Sequence, residues 1–228
     1  STLAMTLIRL EDRTSGSVMI NNEDFLSLSG QDLDKARMNI QMIFQDPFGS
    51  LNPCQTVEYM ITRGLLLQGV KPSQLRERTI SLLGQVGLGE QSLKRKPINF
   101  SGGQRQRIGI ARALSMAPDV VVADESVSAL DLSVQKQVLR LINNLQAKYK
   151  MAIIFITHDL RVAAQISDYI TVMEKGVMVE FGSAKQVFNN PKHDYTKKLL
   201  NAAPGRDWTP PRLDPEEAAK IARDLELV

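Results

Sequence analysis

The spacing of hydrophobic residues in this chain alternates between a helical and a strand-like period. Leu3, Leu7 and Leu10 recur at helical spacing and predict a short first helix. Residues 120–123 form an unbroken run of three valines and an alanine, which is typical of a strand buried on both faces of a parallel sheet. Residues 151–157 are similarly apolar and predict another buried strand. Helices and buried strands together indicate an α/β fold.

Shorter apolar segments extend the strand pattern. Residues 18–20 and 39–44 predict strands, and the second ends before Pro47, which stops regular structure. Residues 169–173 and 177–181 alternate in polarity on either side of a Lys-Gly turn. This arrangement predicts a hairpin at the edge of the sheet.

Three further segments have a helical pattern. Residues 57–96 mix apolar and charged positions and predict a helical region. Asp131 is placed to cap a second, amphipathic helix. Its apolar positions are Val134, Val138, Leu141, Ile142 and Leu145. Residues 208–211 predict a linker, and Asp214 with Pro215 predicts a last helix start. The apolar stripe of that last helix would be Ile221, Leu225 and Val228.

Composition limits the class of protein. Apolar residues make up 43% and charged residues 23% of the 228, as in ordinary globular proteins. The net charge is +3, but basic residues are interspersed with acidic ones, which argues against nucleic-acid binding. Cys54 is the only cysteine, so a disulfide within the chain is excluded and a reducing compartment is expected. No apolar run approaches the roughly 20 residues that cross a bilayer, and no signal peptide is expected, so a membrane role would need a partner protein.

A serine and two glycines, residues 101–103, precede a run of helix-forming residues. The first amides of a helix lack intrahelical partners and carry partial positive charge, so such a start binds anions. Ser101 can cap the helix or donate its hydroxyl to a phosphate, and Gly102 and Gly103 lack the Cβ atoms that would keep a phosphate away. Taken alone, the same residues also fit an ordinary capped turn.

Polar residues follow three of the predicted strands. Gln45 ends one strand, Asp124 and Glu125 follow the valine strand, and His158 follows the strand over residues 151–157. Ligands of open α/β sheets bind at the carboxyl ends of the strands, so these residues predict a site. Each also has a plainer interpretation as a solvated loop residue, a solvated turn or a structural histidine. His193, the other histidine, is assigned no catalytic part.

The order of these motifs resembles that of the ATP-binding cassette (ABC) ATPases. Residues 100–104 are similar to the signature motif Leu-Ser-Gly-Gly-Gln, with phenylalanine in the first position. Gln45 resembles the Q-loop, Asp124-Glu125 the Walker B motif, residues 126–131 the D-loop, and His158 the switch histidine. The resemblance implies an α/β P-loop NTPase of RecA-like type, with a mostly parallel sheet and an inserted all-helical subdomain.

The resemblance also implies roles for the residues, with ATP and Mg²⁺ as cofactors. Ser1 and Thr2 resemble the end of a P-loop, Gly-x-x-x-x-Gly-Lys-Ser-Thr, whose glycines and lysine would precede residue 1. Ser1 would then be a hydroxyl ligand of Mg²⁺, and Thr2 would lie near the phosphates. Asp124 would hold Mg²⁺, Gln45 would reach Mg²⁺ and the attacking water, and Glu125 would act as general base. Without the lysine, the chain is expected to be impaired in ATP hydrolysis.

A head-to-tail dimer is the family arrangement that the resemblance implies. His158 would contact the γ-phosphate and orient Glu125, while Asp131 would couple the two ATP sites. The second subunit would bring its signature residues to the γ-phosphate: Ser101, Gly102, Gly103 and Gln104.

Two segments resemble the peptide importers within the family. Residues 48–53 and 187–200 are similar to the oligopeptide, dipeptide and glutathione importers, with Asp194 in place of a usual proline. This implies an ATPase subunit that pairs with a second such subunit and with transmembrane permease subunits, and indirectly with a substrate-binding protein. We expect it to be peripheral, at the cytoplasmic face of the plasma membrane. A soluble ABC ATPase of translation or DNA repair and a non-hydrolysing cassette subunit are the alternatives.

The resemblance divides the chain into four parts. Residues 1–52 would form the first part of the core, and residues 53–117 the helical subdomain with the signature. Residues 118–190 would form the second part of the core, and residues 191–228 a C-terminal extension of the oligopeptide-importer type.

Overall fold

A computed structural model describes residues 1–46 and 48–202 of the chain. They divide into two compact units, Ser1–Ile156 and the residues from Thr157 onward. The elements of the first unit are α1 (Thr2–Leu7), β1 (Met19–Ile20), β2 (Glu23–Asp24), α2 (Gly30–Asn39), β3 (Ile40–Ile43), α3 (Val57–Leu67), α4 (Leu75–Gln85), α5 (Gly102–Leu114), β4 (Val120–Asp124), α6 (Leu132–Tyr149) and β5 (Ala152–Ile156). Those of the second are α7 (Leu160–Ile166), β6 (Tyr169–Glu174), β7 (Val177–Ser183), α8 (Ala184–Asn189) and α9 (Asp194–Ala202).

A three-stranded parallel sheet with the order β3-β4-β5 lies at the centre of the first unit. The valine strand is β4, and Val121, Val122 and Ala123 are buried, as the sequence predicts. Strand β5 also forms as predicted, but the expectation that it is buried is wrong, because Ile154 is 38% exposed. Ala152 of β5 is exposed as well, and the other residues of the strand are half-buried.

The predicted helical region contains α3 and α4, with short 3₁₀ turns at Pro72–Gln74 and Glu90–Ser92; a third turn, Pro97–Asn99, follows it. Thr56 caps α3 by accepting a hydrogen bond from the amide of Tyr59, 3.3 Å away. Both helices pack with α5. Each buries one side of its surface, with Ile61, Leu83 and Ile108 among the most buried residues.

Two local features differ from the sequence expectation. Helix α2 was not predicted, because its apolar residues are few; Leu33 and Ala36 are partly buried against the core, and none of its residues is fully buried. The predicted stripe of α1 is wrong: Leu3 is 46% exposed, and Leu10 lies beyond the end of the helix. Ala4 and Ile8 are buried instead, against a cluster that includes Phe25, Ile40, Met42 and Val122.

The second unit contains the predicted hairpin, but among the described strands β6 and β7 form a two-stranded antiparallel sheet of their own and do not pair with an edge of the parallel sheet as expected. Lys175 and Gly176 form its turn with φ of 48° and 83°, as a tight hairpin connection requires. The carboxylate of Glu180 accepts hydrogen bonds from the amides of Lys192 and His193, at 2.8 and 3.0 Å, ahead of α9. The predicted linker at 208–211 and helix start at Asp214 lie outside the described residues.

No described helix combines the length and the apolar character needed to span a membrane.

Candidate functional site

Two polar side chains from different strand ends meet at one edge of the parallel sheet. The register pairs Ile43 of β3 with Ala123 of β4, so Gln45 and Glu125, each two residues further on, emerge at the same edge. The Nε2 atom of Gln45 donates a hydrogen bond to Oε2 of Glu125 at 2.6 Å. The structure therefore brings together two of the residues that the sequence places in the site.

The backbone at Glu125 has the left-handed conformation, with φ of 42°. This conformation is uncommon for a residue with a side chain, and residues of this kind cluster at functional sites. Hydrogen bonds hold it in place: the amide of Glu125 donates to the carbonyl of Ile156 at 2.9 Å, and its carbonyl accepts from the amide and hydroxyl of Ser128. These hydrogen bonds fix the backbone at the end of β4 from which the half-buried side chain of Glu125 extends.

Asp124, the last residue of β4, is a buried carboxylate, 3% exposed. Its Oδ1 atom has no hydrogen-bond partner among the described residues. The amino group of Ser1, the residue at the N-cap position of α1, forms an ion pair with this oxygen at 3.9 Å. Burial of a carboxylate oxygen with no hydrogen bond and only one long ion pair is unfavourable, so this oxygen favours a further cation or donor.

These residues fit Mg²⁺. Mg²⁺ prefers oxygen ligands and usually keeps several waters, so one or two carboxylates with substrate phosphates suffice to bind it. Asp124 offers an oxygen without a hydrogen bond among the described residues, and the hydroxyl of Ser1 belongs to a residue that lies beside it. Within the described part of the chain, no group of three or more His, Cys, Asp or Glu side chains could hold a metal alone.

Ser101 caps helix α5, in agreement with one of the two interpretations of its sequence. Its hydroxyl accepts from the amide of Gln104 at 3.3 Å, and the side chain of Gln104 accepts from the amide of Ser101 at 3.1 Å. This is a reciprocal capping box, which satisfies two amides of the helix start within the chain. Gly102, the first residue of the helix, contributes an amide to the same start.

Gly103 has a packing role that the sequence does not reveal. A Cβ atom placed there would collide with Cγ1 of Val134, at the start of α6. The glycine therefore allows α5 and α6 to approach closely, in addition to any clearance that it gives a phosphate.

Asp131 caps α6. Its Oδ1 accepts from the amide of Ser133 at 3.1 Å, from the hydroxyl of Ser133 at 2.7 Å and from the amide of Val134 at 3.0 Å. The hydroxyl of Ser133 and then the amide of Val134 hold the pKa of Asp131 below its usual value. The carboxylate expected to couple two sites thus also stabilises the start of a helix.

Thr2 and His158 are the remaining predicted residues. Thr2 is exposed in the first turn of α1, and its carbonyl accepts from the hydroxyl of Thr6 at 3.0 Å. His158 belongs to the second unit, two residues after the end of β5 and before α7. Asp159 caps α7 by accepting from the amide of Arg161 at 2.9 Å.

Two arginines of α5 connect this helix to the segment that follows Gln45, which the sequence did not indicate. The guanidinium carbon of Arg105 lies 3.9 Å from the ring centroid of Phe48. Arg112 donates to the carbonyl of Ser50 at 2.6 Å. The two arginines are seven residues apart and so share one face of the helix. This spacing is the sequence signal that could have indicated the two contacts.

Comparison with known proteins gives two family matches. The family model "ABC transporter" matches residues 1–128, and the model "Oligopeptide/dipeptide transporter, C-terminal region" matches residues 179–222. The dipeptide transport ATP-binding protein DppF of Escherichia coli (strain K12) is 44% identical over 99% of this chain and 66% of its own length. The oligopeptide transport ATP-binding protein AppF of Bacillus subtilis (strain 168) is 44% identical over 90% of this chain and 63% of its own length. The chain thus spans about two thirds of the length of these relatives.

Solved structures are similar as well. A dimeric, post-hydrolysis structure of the ATP-binding cassette MJ0796 bound to ADP and Pi matches with a TM-score of 0.71 and 27% identity, over 80% of this chain and 79% of that one. The structure of cbiO1 from Clostridium perfringens, part of the ABC transporter complex cbiONQ, matches with a TM-score of 0.74 and 26% identity, over 83% and 74%.

Proposed function

The chain belongs to the ABC transporter family, and we propose that it is the ATP-binding and ATP-hydrolysing subunit of an importer for dipeptides or oligopeptides. Its fold is that of the ABC cassettes, an α/β P-loop NTPase, as the sequence predicts. The buried carboxylate of Asp124, whose Oδ1 has no hydrogen bond among the described residues, next in sequence to Glu125 of the hydrogen-bonded pair Gln45–Glu125, carries the proposal of ATP hydrolysis. The names of the relatives support a peptide as the transported substrate; glutathione, a tripeptide, belongs to the same class.

Hydrolysis uses the two carboxylates in different ways. Asp124 and Ser1 would hold Mg²⁺, which when bound neutralises phosphate charge. Glu125 accepts the proton of the attacking water, whose oxygen bonds to the γ-phosphorus while the bond to the bridging oxygen of ADP breaks. Gln45 fixes the carboxylate of Glu125 by its hydrogen bond. Because one carboxylate is engaged with the cation, a second one is needed to take the proton.

The other predicted residues act on the same nucleotide. Thr2 lies near the phosphates, His158 contacts the γ-phosphate, and Asp131 couples the two ATP sites. The start of α5 from a second subunit completes each site with the amides of residues 101–104. The similar cassette MJ0796 is itself dimeric in its post-hydrolysis state, which supports a dimer here.

The assembly follows from the same proposal. Two such subunits, identical or different, join transmembrane permease subunits at the cytoplasmic face of the membrane and receive substrate indirectly from a substrate-binding protein. No nucleic acid takes part. Within each subunit the boundaries proposed from the sequence, at residues 52, 117 and 190, separate the core parts, the helical subdomain and the C-terminal extension.

The substitution Glu125→Gln in the full-length protein tests the proposed chemistry. An amide cannot accept the proton, so we expect ATP turnover to fall by at least about a hundredfold while ATP still binds and holds a dimer. Turnover is measured by phosphate release, and the dimer by light scattering with and without ATP. Glu77→Gln, on the exposed side of α4, is the matched control and retains turnover. Unchanged turnover in Glu125→Gln would reject this function for the residue.

A further inference from the structure

Arg107 of α5 is a half-buried arginine whose guanidinium joins three helices. Its Nη1 atom donates a 2.9 Å hydrogen bond to the carbonyl of Val86, at the C-terminal end of α4. Its Nη2 atom donates a 3.0 Å hydrogen bond to Oε1 of Gln137, on α6. A guanidinium presents its donors in one rigid fork, so this single side chain holds α5 against both neighbouring helices.

The end of α4 leaves room for this guanidinium. Gly87, which follows the C-cap residue Val86, has φ of 71°, and the amides of Gly87 and Leu88 donate back to carbonyls in the last turn of the helix. A Cβ atom at Gly87 would lie 2.7 Å from Nη1 of Arg107, so the glycine provides the space that the arginine occupies. A cation at this position also interacts favourably with the helix C-terminus.

On its other side, Arg107 extends the close contact between α5 and α6. It lies about one turn after Gly103, and Gln137 lies about one turn after Val134, the residue that a side chain at Gly103 would meet. Both contacts lie within the first two turns of their helices. The separation of the two helix starts is therefore set by the glycine contact and by the hydrogen bond from Arg107.

Other contacts support the same three helices. The hydroxyl of Tyr149, at the end of α6, donates to Oε1 of Gln85 and so joins α6 to the end of α4 independently of Arg107. Helix α5 is also anchored by apolar side chains, with Ile108 and Ile110 buried. The hydrogen bonds of Arg107 therefore add accuracy of placement to a packing that these contacts already provide.

We propose that Arg107 is a positioning residue for ATP hydrolysis, which fixes the start of α5 relative to the start of α6. In the proposed dimer these two starts, with the amides of residues 101–104 and the carboxylate of Asp131, meet the other subunit and its nucleotide. Arg107 acts on them through the helices and touches no reacting group. The proposal rests on the proposed function, because this placement matters only where two subunits build one site.

The substitution Gln137→Ala in the full-length protein tests it, because Gln137 is exposed and its truncation removes only the hydrogen bond to α6. We expect kcat for ATP hydrolysis to fall about threefold to tenfold, as the loss of one hydrogen bond would cause. The affinity for ATP at low protein concentration, where the subunits are separate, should be unchanged in calorimetry. Lys136→Ala, at the neighbouring exposed position, retains the wild-type kcat.

Arg107→Lys supplies a second, independent variant. An ammonium lacks the fork and reaches one of the two acceptors at a time, so kcat should fall by a similar factor. Adding Gln137→Ala to Arg107→Lys should cause no further loss, because both changes break the same contact. Adding Gln137→Glu instead should restore most of kcat, since a carboxylate forms a charge-assisted hydrogen bond with the lysine. The melting temperature of every variant is measured beside kcat.

Wild-type kcat in Gln137→Ala, losses that multiply in the double variant, or no rescue by Gln137→Glu would overturn the positioning role and leave the proposed function standing. Losses of kcat that follow the melting temperature across the variants would show a purely structural role and overturn it as well. A wild-type protein without ATP turnover would instead overturn the proposed function, and this proposal with it.

Discussion

Gln45 and Glu125 are 80 residues apart in the chain, yet the side-chain amide of the first donates a 2.6 Å hydrogen bond to the carboxylate of the second. Parallel pairing of β3 and β4 makes this contact possible, because both residues follow the carboxyl ends of their strands. The bond fixes the orientation of the proposed general base before any substrate binds.

Replacing Gln45 by alanine removes the donor that orients Glu125. We expect kcat for ATP hydrolysis to fall by about tenfold to a hundredfold, because a mobile carboxylate is a poorer base. Steady-state phosphate release measures kcat, and calorimetry measures ATP affinity. Gln41→Ala, in β3, is the control, since its side chain donates to the carbonyl of Arg37 away from the site. Equal kcat in Gln45→Ala and wild type would contradict the positioning role.

Replacing Asp124 by asparagine removes a buried charge whose Oδ1 has no hydrogen bond and one ion pair, at 3.9 Å, with the amino group of Ser1. We expect the nucleotide-free protein to stay within about 1 kcal/mol of the wild type in stability, because the cheaper burial of an amide offsets the lost ion pair. The additional stabilisation by ATP with Mg²⁺ should disappear. Thermal unfolding with and without both ligands measures the two effects. A variant that MgATP stabilises as much as the wild type would disprove the proposed cation site.

Replacing Gly103 by alanine introduces the Cβ atom that collides with Cγ1 of Val134. We expect a loss of about 1–3 kcal/mol in the free energy of unfolding, since valine has little rotamer freedom to move away. Gly109→Ala is a matched control in the same helix, where a Cβ atom meets nothing within 4 Å, and should be neutral or stabilising. Chemical denaturation measures both. The double variant Gly103→Ala, Val134→Ala should recover part of the loss; no recovery would rule out the collision as the cause.

The cap of α6 makes stability depend on pH. Folding lowers the pKa of Asp131. Its contribution to the free energy of unfolding is therefore complete above the unfolded pKa of about 3.9, and it is lost as the pH falls through the lower pKa of the folded state. The difference in melting temperature between wild type and Asp131→Ala should therefore be largest near neutral pH and shrink towards pH 3. A difference that stays constant over this range would show that the charged carboxylate is not the capping group.

The sequence predicted the features that local patterns determine. The valine run identified β4, the Lys-Gly turn identified the hairpin, and the serine before two glycines identified the start of α5. It missed features that depend on distant neighbours. Helix α2 has only a sparse apolar pattern, with Leu33 and Ala36 partly buried, and the exposure of Ile154 depends on what packs on β5, which its apolar run does not specify.

The candidate site was predictable to a similar degree. Gln45, Asp124 and Glu125 lie at one edge because parallel strands end together, which chain order alone suggests. The contacts of Arg105 with Phe48 and of Arg112 with Ser50 were not predictable, because each joins a helix face to a loop that only the folded chain brings near.

The contact between Gly103 and Val134 also limits how these two positions can evolve. An added methyl group at 103 would meet Cγ1 of Val134, so position 103 cannot depart from glycine while valine occupies 134. Among related chains, departures from glycine at 103 should therefore be accompanied by a smaller residue at 134. The start of α5 and the start of α6, which each subunit of the proposed dimer presents to the other, would therefore change together in evolution.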